Sequence, residues 1–241
     1  MGTGPSREEA PSTFRAVLFD LDGVLVDSAA QVEQTWREWA KEHGLDPKGV
    51  ARSSHGRRSA DHILQVAPEL DWRREAELLE QRETELAGVL RPLPGAVALY
   101  NSVPSAIRAV VTSGSQRLAI ARLHGAGFAV PSVLISADDV SAGKPSPEGY
   151  EQGARGLGVD PSDCLVIEDA SAGVAAGKAA GMTVLAVATT LPADALAAAD
   201  ATVDSLESVS IVMEGSDLVH VSLFAARGRG RRRGSRSRAS R

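Results

Sequence analysis

The chain has 241 residues, enough for a sizeable core, and its 43% hydrophobic and 24% charged residues are the balance of an ordinary globular protein, which excludes a disordered or fibrous class. A single cysteine, Cys164, excludes an internal disulfide framework and suits a reducing cytoplasm; no apolar run approaches the roughly 20 residues of a membrane helix. The net charge of −5 divides unevenly, because eight Arg within 227–241 leave −13 on the rest, and an acidic body argues against nucleic acid as its partner.

Residues 1–13 are polar, contain Pro5 and Pro11, and read as a disordered lead without the apolar centre of a signal peptide. Val17 to Asp20 reads as a buried strand. From Asp27 to about Arg91 the apolar residues fall at helical spacing: Val32, Trp36, Trp39 and Ala40, then Ile63, Leu64 and Val66, then Leu78, Leu79, Leu86 and Val89. An all-helical unit of residues 27–91 is therefore expected between the first strand and the remainder. After Pro92-Leu93-Pro94-Gly95, strands and helices alternate. Strands are expected at Ile107–Thr112, Val133–Ser136, Leu165–Ile167, Val184–Val187 and Ala201–Val203, and helices at Ser115–Ala126, Pro147–Leu157 and Ala170–Ala180. Ser146 is expected to cap the second of these helices, with Pro147 at its first position.

This alternation predicts an α/β fold, a doubly wound parallel sheet formed by residues 14–26 and 92–213 with the helical unit inserted after the first strand. Residues 214–241 read as a C-terminal extension ending in a disordered Arg-rich tail.

Four polar stations follow apolar strands: Asp20 and Asp22; Thr112-Ser113-Gly114-Ser115; Lys144 within Gly143-Lys144-Pro145-Ser146-Pro147; and Glu168-Asp169. A parallel sheet gathers such stations at the carboxyl ends of its strands. Asp20 and Asp22 lie among apolar residues, and two like charges so placed stay ionised only beside a cation or a shared proton. Oxygen-only ligation favours Mg²⁺. Hydroxyls and amides at a helix start bind an anion, a lysine neutralises phosphoryl charge, and an aspartate can serve as nucleophile. The set fits a phosphate monoester as substrate.

In this order the stations resemble the motifs of the haloacid dehalogenase superfamily of phosphotransferases. Asp20-Leu21-Asp22-Gly23 matches the first motif, Ser113 the second, Lys144 the third and Glu168-Asp169 the fourth, and the likeness covers residues 15–205. The resemblance implies that Asp20 is nucleophile and metal ligand. It implies that Asp22 is general acid/base and lends Mg²⁺ its backbone carbonyl. Ser113, the Gly114 amide and Lys144 would hold the phosphate, and Asp169, with Glu168, would complete the metal site. The insert then resembles a helical cap of the type that closes over small substrates, and His55-Gly56-Arg57-Arg58 resembles the cap loop that touches the leaving group, which makes His55, Arg57 and Arg58 candidate substrate contacts.

The family's β-phosphoglucomutases carry a histidine in the helix after the first motif. The matching stretch Ala30-Gln31-Val32-Glu33 has none, so a phosphatase of small sugar or polyol phosphates is expected, acting in the cytoplasm as a monomer without a membrane partner. A mutase is the alternative. A phospho-aspartate receiver module is a non-enzymatic one, but it has no helical insert, and its acceptor follows a later strand than its first acidic pair. Gly173–Lys178 mimics a nucleotide-binding loop but is one spacer short, with Ala179 where Ser or Thr belongs.

Overall fold

A computed structural model of the chain describes residues 13–215 and 218–223. Of the lead expected at 1–13, residues 1–12 lie outside the described residues, as does the Arg-rich tail at 227–241, while Thr13 belongs to a strand instead.

Six parallel strands form the main sheet: β2 (Ala16–Phe19), β3 (Arg108–Val111), β4 (Val133–Ile135), β5 (Cys164–Glu168), β6 (Thr183–Val187) and β7 (Ala201–Val203). Their order is β4-β3-β2-β5-β6-β7. The chain starts in the middle at β2, builds outward through β3 and β4, then returns to the other side of β2 with β5. The topological switch point therefore lies between β2 and β5, where an open α/β sheet opens a crevice at its carboxyl edge.

Both faces of this sheet are covered. Val17 and Phe19 of β2, with Leu165 and Ile167 of β5, point to one face. There they meet Leu99 and Tyr100 of α5 (Ala96–Ser102) and Ala119 and Leu123 of α6 (Gln116–Gly125). Ala16 and Leu18, with Cys164 and Val166, point to the other. They pack on Tyr150 and Ala154 of α7 (Glu148–Leu157) and on Val174 and Ala176 of α8 (Ser171–Ala179). The period of two along each strand is what divides the two clusters. Burial on both faces explains why β2 and β5 read as unbroken apolar runs.

The expected helical insert is present as α1 (Ala29–Glu42), α2 (Pro47–Ser54), α3 (Ser59–Val66) and α4 (Trp72–Leu86). Its own core holds Trp36, Trp39, Val50, Ile63 and Leu79. Of the apolar residues expected to define the inner face of α4 and its continuation, only Leu79 is buried; Leu78, Leu86 and Val89 are exposed. The inward position four residues after Leu79 is Glu83, a charge that sequence periodicity discards. Helix α7 starts one residue later than expected: Pro147 precedes the first helical residue, and Ser146 Oγ accepts from Glu148 N at 3.3 Å.

A second, smaller sheet was not foreseen. β1 (Thr13–Phe14), β9 (Leu218–Leu223) and β8 (Val209–Glu214) lie antiparallel in the order β1-β9-β8. Leu218–Leu223 falls in the stretch read from sequence as an extension. It is held there by Val219, which is buried in the main core with Phe14, Val209 and Ile211. Among the described residues no helix is long and apolar enough to cross a membrane.

Candidate active site

The register of β2 against its neighbours sets the site. Phe19 lies opposite Ile167 on β5 and Val110 on β3, so Asp20 leaves the sheet beside Glu168 and Val111. The Asp20 amide donates to the Ile167 carbonyl at 2.9 Å, which fixes the backbone at the point where the carboxylate emerges. Lys144 arrives from the loop before α7. Its ammonium donates to Asp20 Oδ1, to Glu168 Oε1 at 2.7 Å and to the Val111 carbonyl at 3.2 Å. Tyr150 on α7 also donates its hydroxyl to Glu168 Oε1 at 2.8 Å. Oε2 of Glu168 accepts from the Asp169 and Ala170 amides at 2.9 and 3.1 Å. Both oxygens of Glu168 are thus engaged, and helix α8 crosses close above them: a Cβ on Gly173 would collide with that carboxylate. The glycines that mimic a nucleotide-binding loop serve packing, since Gly177 in the same way faces Val184 and Val166.

Burial and charge crowd this cluster. Asp20 is pushed up from 3.8 to about 8, first by burial and then by Glu168 and Asp22, against the opposing pull of Lys144. Burial, then Glu168 and Asp20, hold Asp169 well above the ordinary carboxylate range. Burial lowers Lys144, but Asp20 and Glu168 outweigh it and keep the ammonium charged well above its ordinary range.

Oxygens of Asp20, Glu168 and Asp169 all lie within 4.8 Å of one another. Three carboxylates with one lysine leave two negative charges in excess, and an oxygen-only set of this charge fits a hard divalent cation. Space for the site is kept by Gly23, where a Cβ would strike Asp169 Oδ2 and Thr190 Oγ1, and whose φ of 79° is in the left-handed region.

This arrangement has a measurable consequence for the metal-free protein. Folding raises the Asp20 and Asp169 carboxyls, so the folded state keeps protons that the unfolded chain has released, and stability falls as pH rises toward about 8. The raised Lys144 is constant across this window. The half-buried His55 and the buried His62, both lowered from 6.5 by burial, work in the opposite direction, with an effect that is mostly complete at the lower edge of this window. Protein treated with chelator should therefore melt at a lower temperature at pH 8 than at pH 6.5, with Mg²⁺ recovering most of the loss at pH 8. A melting temperature that rises over this interval without metal contradicts this balance of charges.

A cleft of about 620 Å³, open solvent at its mouth included, lies over these groups between core and insert. Asp20, Asp22, Asp169, Ser113 and Gly114 line it from the core; His55, Arg57, Val32 and Trp36 line it from the insert. Ser113 Oγ donates to the Gly56 carbonyl at 2.9 Å, and a Cβ on Gly56 would press on Ala170. The insert is closed on the core at this loop. The Gly114 amide donates to Thr112 Oγ1 at 3.2 Å, a turn that opens α6, and Ser115 Oγ caps that helix by accepting from the Leu118 amide.

The two candidate arginines of the insert part company. Arg57 lines the cleft, and among the described residues its side chain donates to Gln65 Oε1 at 2.9 Å. Arg58 does not line this cleft but a smaller one beside it, with Ser113, Gly143 and Lys144. It donates to the Val140 and Ser141 carbonyls of the core at 3.0 and 3.1 Å and pairs with Asp61. It latches the insert to the core, and a charged hydrogen bond of this kind is worth roughly 1.5–3 kcal/mol. Arg58→Ala should therefore lower kcat/KM about tenfold alike for every substrate, whereas Arg57→Ala should change the preference among substrates. Kinetics of both variants on several phosphate esters check this, and the reverse pattern would contradict the assignment.

Sequence reasoning missed Arg122 and Glu83. Arg122 on α6 is 3% exposed; it donates to Asp22 Oδ2 and to Glu83 Oε2, each at 2.7 Å. Asp22 Oδ1 accepts from Ser28 Oγ at 2.6 Å. The signal available was a charged residue on the buried stripe Leu118, Ala119, Arg122, Leu123.

A sequence model of the haloacid dehalogenase-like hydrolases matches residues 14–181. The chain belongs to this family. Hexitol phosphatase A of Escherichia coli is 41% identical over 206 residues, covering 83% of this chain and 95% of that protein. Glycerol-1-phosphate phosphohydrolase 2 of Saccharomyces cerevisiae is 38% identical over 196 residues, covering 75% of this chain and 77% of that protein. Among solved structures, β-phosphoglucomutase from Clostridium difficile superposes with a TM-score of 0.70 at 27% identity, covering 80% of this chain and 92% of that one. The α/β core with a helical insert after its first strands is thus the fold of a haloacid dehalogenase-like hydrolase, as the motifs implied.

Proposed function

We propose that this haloacid dehalogenase-like protein is a Mg²⁺-dependent phosphatase that hydrolyses a small sugar or polyol phosphate through an aspartyl-phosphate on Asp20. The observation that carries the proposal is the convergence of Asp20, Lys144, Glu168 and Asp169 at the switch point of the sheet, under a cleft closed by the helical insert. The two relatives named for hexitol and glycerol phosphates support the substrate class.

In this reading Asp20 attacks phosphorus, and the bond from phosphorus to the substrate oxygen breaks. Asp22 gives its proton to the departing alkoxide, then takes one from the water that attacks the aspartyl-phosphate, releasing phosphate and Asp20. Ser113, the Gly114 amide and Lys144 hold the phosphoryl oxygens. Asp20, Asp169, Glu168 and the Asp22 carbonyl would hold Mg²⁺, which when bound neutralises phosphoryl charge. The closed insert keeps bulk water from the aspartyl-phosphate until the alcohol has left.

The structural likeness to a β-phosphoglucomutase supports a second reading, a phosphosugar mutase. Phosphate release from glycerol phosphates, hexitol phosphates, deoxyhexose 6-phosphates and β-glucose 1-phosphate decides between them. Release from one of the first three classes is expected. Isomerisation of β-glucose 1-phosphate without release would establish the mutase instead.

A further inference from the structure

The ion pairs around Arg122 do more than fill the wall of the cleft. The guanidinium bridges two carboxylates on different bodies: Asp22, which follows β2 in the core, and Glu83, which lies on α4 of the insert. Arg122 itself belongs to the core helix α6. Its Nε is buried without a partner among the described residues, and its two side-chain hydrogen bonds there both go to the two acids. Glu83 is 5% exposed. Arg122 and Glu83 have been withdrawn from water at this point, with Asp22 partly exposed at the cleft, a costly arrangement that packing alone does not require, since apolar side chains would fill the buried space at least as well.

The geometry also fixes Asp22. Its two oxygens have separate holders, Ser28 Oγ on Oδ1 and Arg122 on Oδ2. Ser28 stands immediately before α1, where the chain leaves the core for the insert. Both holders of Asp22 are thus tied to the position of the insert, one through the hinge and one through Glu83. The Gln31 side chain of α1 also donates to the Glu83 carbonyl at 3.2 Å, which ties α1 to α4.

We propose that Arg122 is a positioning residue that aims the Asp22 carboxyl at the leaving oxygen, and that Glu83 makes this aim conditional on closure of the helical insert. The proposal rests on the phosphatase reading of the site. It gives the insert a second task beside covering the substrate: an open insert withdraws Glu83, loosens Arg122 and leaves Asp22 without its aim. Proton delivery then coincides with closure.

The test compares kcat/KM for two esters, because this ratio reports the steps up to loss of the alcohol. An alkyl ester such as glycerol phosphate needs its leaving oxygen protonated; p-nitrophenyl phosphate does not. Arg122→Met alone strands the buried Glu83 charge, so the informative variant is Arg122→Met with Glu83→Met, which removes both charges together. It should lose roughly 10²-fold on the alkyl ester, the scale on which a positioned acid contributes, and less than about fivefold on the aryl ester. Glu83→Gln, nearly isosteric, should show the same division in smaller measure and reads out the proposal independently of how the double variant folds. Equal losses on both esters, or no loss on the alkyl ester, overturn the proposal while leaving the phosphatase reading in place. A wild-type protein that hydrolyses neither ester in Mg²⁺ overturns both.

Discussion

Asp20→Asn should abolish turnover, with a loss of about 10⁴-fold or more, equivalent to about 5 kcal/mol of barrier. The amide is nearly the same size as the carboxylate but cannot attack phosphorus, and it offers a metal one neutral oxygen where an anion stood. The fold should survive. Asp20 is buried beside Glu168 and Asp169, its carboxyl is already pushed up to about 8, and removing one charge relieves repulsion among the three. In the absence of metal at pH 8 the variant should melt no lower than the parent protein. Phosphate release and a thermal melt on the same preparation check the two halves together. A variant that keeps near-full activity would remove Asp20 from the role of nucleophile; one that unfolds would show that Asp20 is chiefly a structural partner of Lys144.

Lys144→Met should be nearly as severe for activity and far worse for the fold. Lys144 is the cation in contact with the buried acids, donating to Asp20 and Glu168 while Tyr150 closes Glu168 from the other side. Methionine keeps the length of the side chain and loses the charge. Breaking a buried pair from one side leaves an uncompensated charge at a cost of roughly 3–5 kcal/mol. Activity should fall roughly 10²–10³-fold, the loss seen when one preorganised donor to a developing oxyanion is removed. Mg²⁺ should stabilise this variant more than it stabilises the parent, since a cation would then face three carboxylates with no lysine among them. Melting curves with and without Mg²⁺ read this directly. An equal metal-induced shift in both proteins would mean that Lys144 and the cation do not share the same charges.

Much of this site was legible because its residues stand where the chain changes character. Asp20 and Thr112 follow directly on a strand, Ser113 comes next, and Glu168 ends β5 with Asp169 after it; the burial of these strands on both faces gives a run of apolar letters, and a polar residue at the end of such a run is conspicuous. Glycines and prolines marked the loop that carries Lys144. The helical insert was equally plain, because its spacing differs from that of a strand.

What stayed hidden is what depends on packing between distant segments. Arg122 lies 100 residues from Asp22 and 39 from Glu83, and in sequence it is one more basic residue near the end of a helix. Only the apolar neighbours on its stripe mark it as inward-facing. Arg57 and Arg58 are adjacent and alike on paper; the turn of the chain into α3 sends one to the cleft and the other onto the core's 140–141 loop. The small sheet escaped for a different reason. β8 and β9 are the two arms of a hairpin pairing in register from Val209 with Leu223 to Glu214 with Leu218; β8 breaks its alternation at the exposed Val212, and β9, although it alternates from Val219 to Leu223, stands next to the Arg-rich tail and reads together with it. β1 has only two residues and takes its strand character from the partner β9 alone.

Phosphate release from glycerol phosphate and hexitol phosphate by the wild-type protein, first stripped with chelator and then supplied with Mg²⁺, tests the assignment most directly. Release should be at background in chelator and restored by Mg²⁺, at a rate well above that for phosphate esters too large for the closed cleft. Full release in chelator would contradict the metal role of Asp20, Glu168 and Asp169, and no release from either ester with Mg²⁺ present would contradict the phosphatase assignment itself.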